Sequence, residues 1–254
     1  MRFDGRVALI TAVASGIGRA TADIIGREGA TVVGVDTDES RLEKAMAAIR
    51  DAGGRAHARH ADALDAGQVD RAVNAVVTEL GRIDILVNAV GGSTIIAKPA
   101  ATVDELALAD WQRLISFNLD ATFLFCHAVV PVMKRQRSGK IVNISSIAGR
   151  GLSASSSSAY AAAKGGIIAF TRKLAHELGP FGVTVNAIAP SLTLTERIRP
   201  RWEARSADEQ AQEVARTPLR RVAEAADQAR VIAFLASHDA DFVTGVTIDV
   251  TGGI

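Results

Sequence analysis

Tyr160 and Lys164 are the side chains whose types and spacing most directly suggest chemistry. They stand in Ser158-Ala159-Tyr160-Ala161-Ala162-Ala163-Lys164, and Tyr160 is the only tyrosine among 254 residues. Alanine favours helix, and positions four apart share a helix face, so a phenol and an ammonium are held side by side. A neighbouring cation favours the phenolate and draws a phenol from its reference pKa of about 10 toward neutrality. Tyr160 then suits proton exchange with an alcohol/carbonyl pair. An ordinary helix face with a half-buried tyrosine and a solvated lysine has the same spacing, so the weight must come from the rest of the chain.

The elements that position this pair follow from short apolar runs. Val7–Thr11, Thr31–Asp36, a weaker stretch over residues 55–61, and residues 83–87, 140–144, 183–188 and 246–250 read as strands. Helical composition fills the intervals, at residues 16–25, 39–50, 65–80 and 110–135 and around Tyr160. Alternating strands and helices with short turns require parallel strands and helical crossovers, so a sheet covered on both faces is expected. The expected fold class is α/β: one Rossmann-like doubly wound domain over residues 1–254, with about seven mainly parallel strands.

Bulk properties narrow the function. A net charge of +1 gives no reason to expect nucleic acid or an anionic membrane as partner. The single cysteine, Cys126, excludes an internal disulfide and any cysteine-based metal cluster within one chain, and no metal is expected. The amino terminus lacks the apolar core of a signal peptide, and no apolar run reads as long enough to span a membrane. A cytoplasmic protein is the expectation.

The ends of the first three strands carry a second constellation. The first runs into Thr11-Ala12-Val13-Ala14-Ser15-Gly16-Ile17-Gly18 and then a helix. Gly16 and Gly18 allow close backbone approach, and the helix N-terminus offers N–H donors and a favourable dipole to a pyrophosphate. Asp36 closes the second strand, where a carboxylate can bind both hydroxyls of an adenosine ribose. Asp62, ending the third, can orient the adenine. Taken together, three such strand ends point to a dinucleotide.

With these strand ends, Asn88, Asn118 and Tyr160/Lys164 in hand, the chain resembles the short-chain dehydrogenase/reductase family from Gly5 to Gly253. The family's T-G-x-x-x-G-x-G turn has Ala12 in place of its first glycine here, and N-N-A-G appears as Asn88-Ala89-Val90-Gly91. The resemblance implies a catalytic set of Asn118, Ser146, Tyr160 and Lys164, with Ser145 the weaker serine. Ser146 lies fourteen positions before Tyr160, one more than is usual in the family. It also implies that Thr11, Ser15, Gly16, Ile17, Gly18, Asp36, Asp62, Ala63, Asn88, Ala89, Tyr160, Lys164, Pro190, Thr193 and Thr195 hold a nicotinamide dinucleotide. Tyr160 would exchange the substrate proton and Ser146 hold the substrate oxygen. Lys164 would depress the Tyr160 pKa and hold a ribose, and Asn118 would anchor a water linking Lys164 to solvent.

NAD is expected over NADP, because Asp36 would face a 2′-phosphate with like charge. The reaction expected is hydride exchange with a small secondary alcohol or ketone. A 3-oxoacyl-thioester reductase using NADPH, and a regulator that binds a dinucleotide without catalysis, are the alternatives. Residues 93–96, 151–154 and 192–218 should wall the substrate pocket, the last acting as a lid. Its arginines are expected to pair with Glu196, Glu203, Asp208, Glu209 and Glu213, leaving a mainly apolar pocket. The family commonly assembles as tetramers, and the apolar helix over residues 110–135 fits a homotetramer.

Overall fold

The computed structural model describes residues 1–151, 153 and 155–254. In chain order its strands are β1 Val7–Thr11, β2 Thr31–Asp36, β3 Arg55–His60, β4 Ile85–Asn88, β5 Gly139–Ile144, β6 Val183–Pro190, β7 Thr193–Leu194, β8 Ala223–Glu224 and β9 Thr247–Val250. Its α-helices are α1 Gly16–Arg27, α2 Glu39–Asp51, α3 Ala66–Leu80, α4 Leu108–Ile115, α5 Ala121–Gln136, α6 Ser158–Leu178, α7 Arg199–Glu203, α8 Ala207–Arg216 and α9 Ala225–Ala236.

Seven strands form one parallel sheet in the order β3-β2-β1-β4-β5-β6-β9. Every residue of β1 and β4 is buried, as a sheet covered on both faces requires. Side chains alternate between the faces. Leu9 joins Val33, Leu86, Phe125 and Ile141 on one side, while Ala8 and Ile10 join Val32, Met46, Ile85 and Ile232 on the other. The fold is therefore a doubly wound, Rossmann-like α/β sheet. After β1 the chain adds β2 and β3 on one side, then returns to place β4 on the other. The connections after β1 and β4 diverge, and a crevice opens beyond the carboxyl ends of these strands.

Four features depart from expectation. The fourth strand begins at Ile85 rather than at residue 83. The helix expected over residues 110–135 is interrupted by a π turn at Ser116–Asp120 between α4 and α5. Measured from Leu108 to Gln136 it has 29 residues and a mean hydropathy of 1.4 in its most apolar window. By length and composition it is apolar enough to cross a membrane, which corrects the reading that no run is. Its apolar content is used on both sides, since Leu114, Phe125 and Val129 are buried while Phe123 remains 46% exposed. Finally, α9 carries no strong periodic signal, yet it packs along α1 and starts from a reciprocal Glu224–Asp227 capping box.

Candidate active site

The turn after β1 is built for close approach. Ala12 adopts φ 51° and Gly16 φ 62°, both in the left-handed region that suits glycine. A Cβ on Gly18 would lie 2.5 Å from the Ala12 carbonyl oxygen, so no larger residue fits there. Helix α1 then starts with Ser15 as N-cap, without a side-chain capping bond and without an acidic residue in its first turn. Its positive end is left for an anion. The Gly16 N–H donates to Glu196 Oε2 at 2.7 Å, so a carboxylate already stands where a pyrophosphate oxygen would. That contact shows that the turn accepts an anionic oxygen, which suits the phosphates of a dinucleotide.

Asp36 closes β2 on the same crevice. Its carboxylate accepts from the backbone N–H groups of Ala14 at 3.0 Å, Thr37 at 2.8 Å and Asp38 at 3.2 Å. These bonds fix its direction and take three of its roughly four lone-pair sites, leaving Oδ2 open to one further donor. Asp62 accepts from Leu64 N–H at 2.9 Å, and it lines the crevice with Ala63, Ile17 and Ala89. Thr11 is buried, and its Oγ1 accepts from Ala89 N–H at 2.9 Å, tying the turn after β4 to β1.

The phenol and ammonium arrive from α6. Ser157 caps that helix by accepting from Tyr160 N–H at 3.4 Å, which sets the first turn and hence the face Tyr160 and Lys164 share. Lys164 Nζ lies 5.7 Å from the Tyr160 ring centroid and donates to the Ile144 carbonyl at 2.8 Å. Both serines at the end of β5 line the crevice. Ser145 is buried and donates to the Lys164 carbonyl at 2.7 Å, while Ser146 is half-buried and its hydroxyl favours the Tyr160 phenolate. The Ser146 hydroxyl also accepts from Ala148 N–H at 3.1 Å, capping a short 3-10 turn.

Electrostatics corrects one expectation. Burial raises the Tyr160 pKa above its ordinary value, and the Ser146 hydroxyl and the Arg197 charge only partly oppose it. Lys164 is itself desolvated and pushed down to about 7, with the Arg197 charge adding to the effect. With its own charge disfavoured by burial, the Lys164 ammonium does not override the cost of a buried phenolate.

Asn88 and Asn118 stand behind the crevice wall rather than in it. Asn118 lies in the π turn and is fully buried. Its Nδ2 donates to the carbonyls of Leu114 at 2.9 Å and Gly92 at 3.2 Å, and its Oδ1 accepts from Gly92 N–H at 2.9 Å. In a regular helix the Leu114 carbonyl would pair with the Asn118 backbone N–H; here it takes the side-chain amide. The asparagine thus pins Gly92 to the wall. Asn88 donates to Asn143 Oδ1 at 2.8 Å, linking β4 to β5. Its own Oδ1 is buried without a partner among the described residues.

The segment after β6 closes the other side. Pro190 offers its carbonyl to Ser146 Oγ at 3.5 Å, and Thr193 is buried with its hydroxyl on the Ser191 carbonyl at 3.0 Å. Thr195 packs on the glycine turn, where a Cβ on Gly16 would meet its Cγ2 at 3.2 Å. The crevice holds about 560 Å³ and is lined by Ser15, Gly16, Gly18, Asp36, Ser146, Tyr160, Lys164 and Thr195 together. Of the expected pocket walls, Ser93 and Thr94, Ser153, and seven residues within 192–216 besides Thr195 (Leu192, Thr193, Arg197, Ile198, Arg205, Glu213 and Arg216) line it, while 152 and 154 lie outside the described residues.

The arginines of residues 192–218 depart from the expected pairing. Arg205 pairs with Glu213 at 3.8 Å, but Arg199 pairs with Glu224, outside the segment, at 2.9 Å. Among the described residues Arg197 and Arg201 have no carboxylate partner. Arg197 reaches into the crevice and donates from Nη2 to the Gly91 carbonyl at 2.8 Å. Sequence reasoning placed Arg197 in a pocket-walling segment but missed the contact of Glu196 with the glycine turn, because Glu196 and Gly16 are 180 residues apart.

Comparison with known proteins agrees with this architecture. Residues 12–254 match the family model described as enoyl-(acyl carrier protein) reductase. The chain is 41% identical to cyclohexanol dehydrogenase of Rhodococcus sp. (strain TK6), over 98% of this chain and 96% of that one. It is 39% identical to cis-4-hydroxycyclohexanecarboxylate dehydrogenase of Sinomonas cyclohexanicum, over 99% of this chain and 97% of that one. The crystal structure of a 3-oxoacyl-[acyl-carrier protein] reductase with bound NAD from Brucella melitensis superimposes with a TM-score of 0.89 at 35% identity, covering 100% of this chain and 94% of that one. The chain belongs to the short-chain dehydrogenase/reductase family of oxidoreductases.

Proposed function

We propose that this oxidoreductase exchanges hydride between NAD(H) and a mainly apolar secondary alcohol or its ketone. The observation that carries the reading is that Tyr160, Ser146 and Lys164 line the same crevice as Gly16 and Asp36. When bound, the nicotinamide group supplies or accepts the hydride. Toward the ketone, the Tyr160 oxygen takes the substrate's hydroxyl proton; toward the alcohol, Tyr160 returns it. Ser146 holds the substrate oxygen beside that phenol. A charged Lys164 favours the phenolate, so proton removal depends on its protonation state.

The carboxylate of Asp36 supports NAD over NADP, since it accepts from free ribose hydroxyls and opposes a 2′-phosphate. The NAD found in the Brucella melitensis reductase is consistent with that preference. The relative named for cyclohexanol supports a small neutral alcohol. One observation favours a second reading. The guanidinium of Arg197 enters the crevice without an acidic partner among the described residues, which suits a carboxylate-bearing alcohol. A relative is named for such a compound.

Residues 192–218 serve in this reading as a lid, and the protein is cytoplasmic and works as a homotetramer. The half-exposed Phe123 and Trp111 on the α4–α5 helix supply apolar surface for assembly. Assay of cyclohexanol, its carboxylated analogue and the matching ketones with each cofactor tests the reading. Turnover of the neutral alcohol with NAD is expected. Turnover confined to NADPH and acyl thioesters would replace it with the thioester reductase.

A further inference from the structure

Three consecutive lid residues cross the crevice. Thr195 packs on the glycine turn, Glu196 takes the Gly16 N–H at 2.7 Å, and Arg197 donates to the Gly91 carbonyl at 2.8 Å. The Arg197 guanidinium also presses on Gly92, where a Cβ would lie 2.4 Å from Nη2. Gly91 in turn borders Lys164, whose Nζ would be 2.8 Å from a Cβ placed there. The segment therefore runs from the pyrophosphate turn to the catalytic lysine.

We propose that Glu196 is an internal competitor of the cofactor, its carboxylate occupying the N–H that the pyrophosphate needs, so that cofactor entry and displacement of residues 195–197 are one event. The inference rests on the dinucleotide reading above. A single N–H proton cannot serve two acceptors fully, and a carboxylate and a pyrophosphate cannot share a contact without like-charge repulsion. No capping side chain or acidic first-turn residue of α1 offers an alternative anion, so Glu196 alone neutralises that helix end among the described residues. The contact stabilises the cofactor-free arrangement, and whatever it contributes there is subtracted from cofactor affinity. Glu196 thus sets the affinity of a site to which it adds no favourable contact. Arg197, the next residue, must let go of Gly91 in the same movement.

Binding measurements without turnover test this. NADH is titrated by fluorescence, and ADP-ribose and adenosine by calorimetry, against the wild-type chain, Glu196→Gln and Glu196→Ala. A hydrogen bond to a charged group is lost, so NADH and ADP-ribose should bind about tenfold more tightly to Glu196→Ala and by a smaller factor to Glu196→Gln. Adenosine, which carries no phosphate, should bind all three alike. Unchanged or weaker NADH binding in both variants overturns the proposal and leaves the cofactor reading intact. An equal gain for adenosine also overturns it, because the effect then lies outside the pyrophosphate contact. Absence of NADH binding to all three proteins removes the cofactor reading, and this inference with it.

Discussion

Lys164 Nζ donates to the Ile144 carbonyl at 2.8 Å, so the buried ammonium of the site is held by the backbone of β5 rather than by an acid. Desolvation, with the Arg197 charge second, lowers its pKa to about 7. The unfolded chain keeps that proton up to about pH 10.4, so the folded state binds fewer protons between the two values. Stability attributable to Lys164 therefore rises with pH across that window. Melting temperatures of the wild-type chain and Lys164→Met, compared from about pH 6 to pH 10, should diverge in favour of the wild type as pH rises. Parallel curves would mean the lysine is not titrated in the folded state.

Ala12 at φ 51° carries strain that glycine would not. The left-handed conformation costs an L-residue roughly 1–2 kcal/mol, partly offset by the greater chain entropy of an unfolded glycine. Ala12→Gly should stabilise the fold by about 0.5–1 kcal/mol, read as a higher denaturant midpoint with unchanged slope. Gly18→Ala is the converse. Its Cβ would meet the Ala12 carbonyl oxygen at 2.5 Å, a backbone atom that cannot step aside, so NADH binding should be lost and the midpoint should fall.

The residues explain which parts of this molecule were legible beforehand. Val7–Thr11 and Thr31–Asp36 are β-branched runs bounded by turn residues, and such runs state their own structure. The Tyr160/Lys164 spacing is equally local. The π turn at Asn118 is not, because it depends on an amide bonding Gly92 from another segment. Phenol acidity is hidden from the sequence for the same kind of reason: spacing reveals the neighbouring cation but not the burial that outweighs it. The acids and arginines of residues 192–218 balance along the sequence, yet Arg199 finds Glu224 and Glu196 finds Gly16 only once the chain is folded.

In the proposed function Asp36 sets the cofactor preference through charge. Asp36→Asn keeps an acceptor for Ala14 N–H but removes the repulsion toward a 2′-phosphate. Opposed like charges cost several kcal/mol, so the efficiency with NADPH relative to NADH should rise by about tenfold or more. An unchanged ratio would place cofactor choice elsewhere.

The central claim is that Tyr160 carries the proton while the other crevice residues hold the reactants. Tyr160→Phe removes one hydroxyl and leaves the ring that packs at the start of α6. The direct measurement pairs turnover with NADH binding for this variant. The account predicts a turnover loss of about 100-fold or more, the scale of a removed acid/base group, with an NADH dissociation constant within about twofold of the wild type. Retention of a large share of turnover, with NADH bound as before, would contradict it.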